Sequence, residues 1–141
     1  MKLFKKVVLI SMICLVAIII TFISTNEIRV KKRHENLMEE RLLFVKDVMD
    51  EKYEIGRFGC IELPEGKKEL SLTGECVFLK YKNEYYVYFF NSYTSMLGSA
   101  RGVLCVCKNV GDNIKGKASE TWEFVRMIQI DENFFDASAE L

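Results

Sequence analysis

The chain has 141 residues, half of them apolar, with 20 Lys or Arg against 20 Asp or Glu. That length leaves room for one small domain beside a membrane segment and excludes a second. The neutral total hides a split: residues 1 to 34 carry seven basic side chains against one Glu, and residues 35 to 141 carry thirteen against nineteen acids. An acidic larger part excludes nucleic acid as the expected partner, because phosphate contacts need a basic face.

Val7 to Asn26, VVLISMICLVAIIITFISTN, is twenty residues without a charge, preceded by Lys2, Lys5 and Lys6. At about 1.5 Å per residue such a helix spans about 30 Å, the thickness of a bilayer's hydrocarbon core. Residues 1–26 therefore read as an N-terminal membrane anchor, with a transmembrane helix over about 7–26. A cleavable signal wants a shorter apolar run and small residues at −3 and −1 of the cut, and here the bulky Phe22 or Ile23 stands at −3. Cys14 follows Ser11-Met12-Ile13, without the small residues a lipoprotein signal needs before its cysteine. The expectation is an uncleaved, single-pass signal-anchor. Both flanks are basic, Arg29, Lys31, Lys32 and Arg33 lying on the far side, so charge bias nearly ties. The short basic leader favours a cytoplasmic N-terminus and an extracytoplasmic C-terminal domain in the cell membrane. Ser11, Ala17 and Ser24 lack the four-residue spacing that brings membrane helices together.

Residues 27–50 read as an amphipathic stalk helix. Met38, Leu42, Val45 and Met49 form its stripe, which Leu37 and Val48 widen and which is expected to pack on the following domain, self-association being the alternative that two heptads disfavour. Glu27 sits four residues before Lys31 in the favourable order for an ion pair. Ser24 and Glu27 have capping-box spacing, which leaves open whether the helix restarts at the membrane surface or runs through. The Arg29–Arg33 cluster suits either anionic lipid headgroups or a simple stop to translocation. His34, the only histidine, reads as solvated and seeds no metal site.

Residues 51–141 read as a small β-rich extracytoplasmic domain. Tyr53 to Leu63 alternates as a half-buried strand, with Tyr53, Ile55, Ile61 and Leu63 inward, Arg57 and Gly59 as the weak members of that face, and Glu54 and Glu62 outward. Pro64-Glu65-Gly66 supplies a turn, Leu70 and Leu72 mark a second short strand, and Gly74 marks a break. Residues 76 to 91, CVFLKYKNEYYVYFFN, form a hairpin. A turn at Asn83-Glu84 would pair Tyr81 with Tyr86, Leu79 with Tyr88 and Val77 with Phe90, all on one core-facing side. Cys76, Phe78, Val87 and Phe89 lie on the other side. Ser92 to Arg101 reads as a loop, Gly102 to Val110 as an interior strand with apolar residues on both faces, and Gly111 to Lys117 as a turn. Thr121 to Asp131 is the last expected strand, with Trp122, Phe124, Ile128 and Ile130 on one face and Arg126 as the exception. The tail NFFDASAEL is expected to fray, with docking of Phe134 and Phe135 on the domain as the alternative.

The sum is an α+β chain: a transmembrane helix and helical stalk followed by a mostly antiparallel sheet of five or six strands. Helix first and sheet afterwards on an N-terminal anchor resembles the layout of type IV pilins and pseudopilins. Those proteins carry a Phe after their cleavage site and a Glu five residues into the apolar run. Here Phe4 precedes Lys5, and the first Glu is Glu27.

Cys60, Cys76, Cys105 and Cys107 are an even set in an exported domain, compatible with free buried thiols or with a disulfide from Cys105 or Cys107 to Cys60 or Cys76. The paired spacing of a zinc ribbon is missing. A nucleophile with its base, paired catalytic carboxylates, a phosphate-cradling glycine loop and a histidine pair are all missing too. Catalytic, cofactor-binding and metal residues are thus expected to be none, and the protein is expected not to be an enzyme. The expected role is an interaction or structural module of the cell envelope, whose partners are the lipid bilayer and another envelope protein. A minor pilin-like subunit, and a thiol redox protein using Cys105 and Cys107, are the alternatives.

Overall fold

A computed structural model describes residues 1–94 and 98–140, with the side chains of residues 2, 26, 27, 29–34 and 92–94 outside the described set. The expected Glu27–Lys31 pair, the Arg29–Arg33 cluster and His34 therefore lie outside the described side chains. The chain divides into two compact units, Met1–Met38 and Glu39–Leu141.

The first helix, α1, is assigned over Lys2–Met49 as one element. Of the two alternatives at Ser24, the helix runs through. The Thr21 and Thr25 hydroxyls donate to the carbonyls of Ala17 and Thr21, four residues back, as they do inside a helix and not at its start. Within the first unit Leu3–Thr25 is a 23-residue stretch of mean hydropathy 3.0, none of it buried. A soluble protein's core helix would be covered; this one is long and apolar enough to span a bilayer and presents its whole surface.

In the second unit the last turns of α1 bury Arg41, Phe44, Val45 and Val48. The expected stripe is thereby rotated, because Leu42 is 40% exposed and Phe44 takes the central place. Its ring lies 4.7 Å from that of Tyr53 and edge-on to Phe89 at 6.2 Å. The helix turns toward the side chain with the most apolar area to bury.

Among the described residues six antiparallel strands follow: β1 (Cys60–Glu62), β2 (Glu75–Tyr81), β3 (Glu84–Thr94), β4 (Ser99–Val106), β5 (Glu123–Gln129) and β6 (Phe134–Glu140), in the order β1-β2-β3-β4-β6-β5. A short helical turn, α2 (Asp112–Lys115), lies in the connection from β4 to β5. The α+β class is as expected, and several elements are not. The strand expected over residues 53 to 63 shrinks to three residues, because Phe58 and Gly59 both adopt positive φ in a 3-10 turn. The strand expected at Leu70 and Leu72 is a 3-10 turn, Glu65–Leu70, that buries Leu70 and leaves Leu72 exposed.

The hairpin turns at Lys82-Asn83, whose φ values of 48° and 66° suit a two-residue mirror-image turn. Leu79 consequently faces Tyr86 and Val77 faces Tyr88, two positions from the expected partners. Side chains alternate with period two, so that slip leaves every residue on its expected face. The expected loop 92–101 is mostly strand: Ser92 pairs with Arg101, Tyr93 with Ala100 and Thr94 with Ser99, while residues 95–97 lie outside the described residues. Gly102 to Val106 is interior as expected, flanked by β3 and β6.

The tail expected to fray is instead β6, hydrogen-bonded on both sides by β4 and β5. In β5 the register shifts between Phe124 and Arg126, so Val125 is a bulge. That resets the phase: Met127 joins Phe124 against the core, while Ile128 and Ile130 are exposed. The Arg126 exception is the bulge seen from the sequence.

One core face gathers Val77, Leu79, Tyr86, Tyr88, Phe90, Ala100, Leu104 and Ala137, with Trp122 and Phe124 packed on them. Ser119 explains how the sheet wraps this cluster. It exchanges backbone hydrogen bonds with β2, Lys80 N–H to Ser119 O at 2.8 Å and Ser119 N–H to Phe78 O at 3.0 Å, beside the three-residue β1. Four residues later the chain enters β5, at the opposite margin of the sheet. Four residues reach at most about 14 Å, so the two margins are drawn together and the sheet curls round its aromatic face. The reverse face carries Cys76, Phe78, Val87, Phe89, Val103 and Cys105, all buried, on the side where Phe44 of α1 meets Phe89.

Candidate functional site

The reverse face holds most of the chain's chemistry-bearing side chains. All five cysteines are free thiols: Cys14 is exposed on α1, Cys60 half-buried, and Cys76, Cys105 and Cys107 buried. The disulfide alternative fails on topology. β3 lies between β2, which carries Cys76, and β4, which carries Cys105. Two strand spacings are about 10 Å, beyond the roughly 7 Å between Cα atoms that a bridge tolerates. Cys60, on β1, is one strand further still. Burial pushes the Cys105 thiol up to about 12, and burial likewise raises Cys76 and Cys107. Cys60 is raised by burial first and then by the neighbouring Glu75. Reactive cysteines need the reverse, a favoured thiolate in a positive, accessible setting. Among the described residues no group of three or more His, Cys, Asp or Glu is placed to hold a metal ion.

Arg41 is the one cation packed into this face among the described residues, 2% exposed. Its Nε donates to Leu70 O and one terminal nitrogen to Asn91 Oδ1, both at 2.9 Å, and the guanidinium carbon stands 5.2 Å over the Phe89 ring. The other terminal nitrogen has no hydrogen-bond partner among the described residues. Burial lowers its pKa to about 10, which leaves it charged at neutral pH. Asn91 is the residue at which the β3–β4 register shifts, so the bulge turns its amide toward the guanidinium. Arg41 ties helix, 3-10 turn and sheet together. In sequence it looks like an ordinary polar position of a stalk, and only the rotated stripe, with Phe44 three residues on, could have marked it.

The aromatic face is core, as its pattern implies, with Tyr88 wholly buried and its hydroxyl donating to Ala137 O at 3.2 Å. Open space lies elsewhere. A groove of about 410 Å³ is lined by Leu42, Leu43, Val45 and Met49 of α1 and by Val106, with Lys46 and Lys108 at its edge. A second concavity, about 550 Å³, lies between the Gly56–Phe58 turn and residues 115 to 121. Phe58 stands at its rim, 81% exposed. The sequence marks only the neighbours Arg57 and Gly59, as weak members of an inward face, since an isolated Phe in an alternating run looks like one more strand residue.

No protein-family model, no curated protein and no solved structure matches this chain. Its function is therefore to be sought in the helix, the sheet and the two concavities themselves.

Proposed function

We propose that the chain is a single-pass membrane protein with a cytoplasmic N-terminus, whose extracytoplasmic α+β domain serves as an interaction or structural module of the cell envelope and not as an enzyme. The observation that carries this reading is the uncovered apolar stretch Leu3–Thr25, followed by a unit with its own packed aromatic core. Lipid is the solvent in which such a helix loses nothing by exposing its side chains. The test has two parts. The full chain should stay with the membrane through alkaline carbonate washing, keeping its N-terminal residues, and a reporter active only outside the cytoplasm should work when fused at Leu141. Mature protein beginning after Thr25 would make the segment a signal sequence, and a silent reporter would reverse the orientation.

A pilin-like subunit is the second reading, favoured by one observation: a 48-residue N-terminal helix precedes an antiparallel sheet. Neighbour-to-neighbour crosslinks through residues 10 to 23 would support it, and a monomer under the same conditions would remove it. Burial raises the pKa of Cys105 and Cys107, which speaks against the thiol redox reading; a Cys105→Ser change that leaves fold, stability and phenotype untouched would remove it.

A further inference from the structure

Phe58 has a φ of 55°, in the left-handed region where a bulky side chain is an outlier. With its ring in water, burial returns nothing for that backbone cost. Its neighbours hold the turn in place. Gly56 N–H donates to Cys60 O at 2.8 Å, and Gly59 follows at φ 74° so close to β2 that a Cβ there would stand 1.9 Å from Phe78 O. The turn is thus welded to the sheet with residue 58 at its apex. Gly, Asn or Asp would occupy that apex more cheaply. Strain kept at an exposed aromatic points to a use for the ring outside the fold.

The chemistry beside the ring says what kind of use. The concavity is lined by Arg57, Lys115 and Lys117, with Glu120 as the single acid. Lys115 pairs with Asp112 at 2.8 Å and Glu120 with Lys80 at 3.5 Å. This positive patch sits on a unit, residues 39 to 141, with thirteen basic and eighteen acidic side chains. An extended polyanion or a charged bilayer meets the field of the whole unit and is repelled. A short acidic segment lies within about one Debye length, ~8 Å, of the patch and is attracted.

We infer that the Arg57-Phe58 turn, with Lys115 and Lys117, is a docking surface for an acidic segment of a partner protein, Phe58 filling an apolar pocket and the cations selecting carboxylates around it. An aromatic anchor ringed by charge is the usual division of labour at such a contact, the ring supplying affinity and the charges specificity. The inference rests on the interaction-module reading and names the surface through which that module acts.

The test replaces Phe58 with the photocrosslinking residue p-benzoylphenylalanine in the full-length chain in its native membranes. One discrete adduct is expected, its crosslinked partner peptide rich in Asp and Glu. Its yield should fall at least tenfold when Arg57→Glu and Lys117→Glu are added, and hold with Lys108→Glu, outside the patch. In parallel, Phe58→Asn should raise the melting temperature by roughly 4 °C or more, because Asn tolerates the left-handed backbone. An adduct to lipid alone or to a second copy of the chain, a yield indifferent to the charge reversals, the absence of any adduct, or a lower melting temperature for Phe58→Asn would each overturn the inference. Loss of the adduct while the chain stays in the membrane removes this surface alone; a chain found in the aqueous fraction removes the tether and leaves the adduct to be judged separately.

Discussion

The two faces of the sheet are built from alternate residues of the same strands, yet they are closed by different means. The face of Leu79, Tyr86 and Tyr88 is covered by the chain's own later segment, with Trp122 and Phe124 packed over Tyr88 at ring distances of 5.4 Å. The face of Phe78, Val87 and Phe89 lies on the side where α1 brings Phe44 and a buried cation, and it holds the buried thiols. One face is almost wholly aromatic and aliphatic. The other admits polar groups in a buried setting, each of which needs a partner or must stay neutral. That contrast predicts different responses of the two faces to substitution and to pH.

The largest expected effect lies on the aromatic face. Tyr88→Ala removes a fully buried ring from the centre of the cluster and should cost about 3–5 kcal/mol, enough to unfold much of a domain this small. Tyr88→Phe, which loses only the bond to Ala137 O, should cost about 1 kcal/mol. Urea unfolding of the two variants checks both, and near-equal costs would mean that the hydroxyl, and not ring packing, holds this face.

On the reverse face Arg41→Ala should cost about 2–3 kcal/mol, since it empties space above Phe89 and strands the acceptors on Leu70 and Asn91. Arg41→Met keeps most of the volume and removes a buried charge that has no carboxylate partner among the described residues, so it should cost less than the Ala change. If Met proved the worse of the two, the charge itself would be holding the helix down. Combined with Tyr88→Phe, Arg41→Met should be additive within about 0.5 kcal/mol, because the two act on opposite faces.

Alkali separates the faces more finely. A thiol whose pKa is raised on folding holds its proton more tightly in the folded state, so the unfolded chain deprotonates first. The stability it contributes is complete below its ordinary value of 9.0 and is lost as pH climbs toward the folded value, about 12 for Cys105. Each buried thiol should remove about 1.4 kcal/mol per pH unit in that window. Burial raises Tyr86 and Tyr88 as well, from 10.0, so the aromatic face should begin to yield about one pH unit later. Unfolding under reducing conditions from pH 7 to 11 should show the decline starting near pH 9, with a shallower slope in Cys105→Ala. A decline that starts only above about pH 10, unchanged by that substitution, would show that solvent reaches the thiol face.

Much of this was legible in the sequence, for identifiable reasons. The uncharged run after Lys6, the hairpin strands and the interior strand with its paired apolar faces are written in side chains large enough to declare a period. What stayed hidden was carried by small or backbone features. β6 alternates Ala137 and Ala139 with Asp136 and Ser138, and alanines give almost no hydrophobic signal, though both are buried. The Val125 bulge inverts the phase of β5 without leaving a glycine to announce it. The turn containing Phe58 hides behind a residue whose type argues for a strand. Among the site residues, the places of Cys76, Cys105 and Cys107 on apolar strands were legible but the choice between free thiol and disulfide was not, and Arg41 was hidden because a charge on a helix reads as solvated until its stripe is known.

The smallest effect expected bears on the hairpin that joins the two faces. The sequence favours a turn at Asn83-Glu84, but the backbone turns at Lys82-Asn83, and a lysine at a positive φ of 48° is a poor occupant. Replacing the pair by Lys82→Asn with Asn83→Gly supplies the residues that a mirror-image turn prefers and should stabilise the domain by about 0.5–1 kcal/mol. The same change also distinguishes the two registers. With Leu79 opposite Tyr86 the new asparagine and glycine occupy the two central positions. With Leu79 opposite Tyr88 the glycine would take the first central position, which a type II′ turn also accepts, while the asparagine would sit in the strand, so the gain should be smaller or absent. A gain of about 0.5–1 kcal/mol therefore supports Leu79 facing Tyr86 across the hairpin, and the absence of any gain argues for the other register.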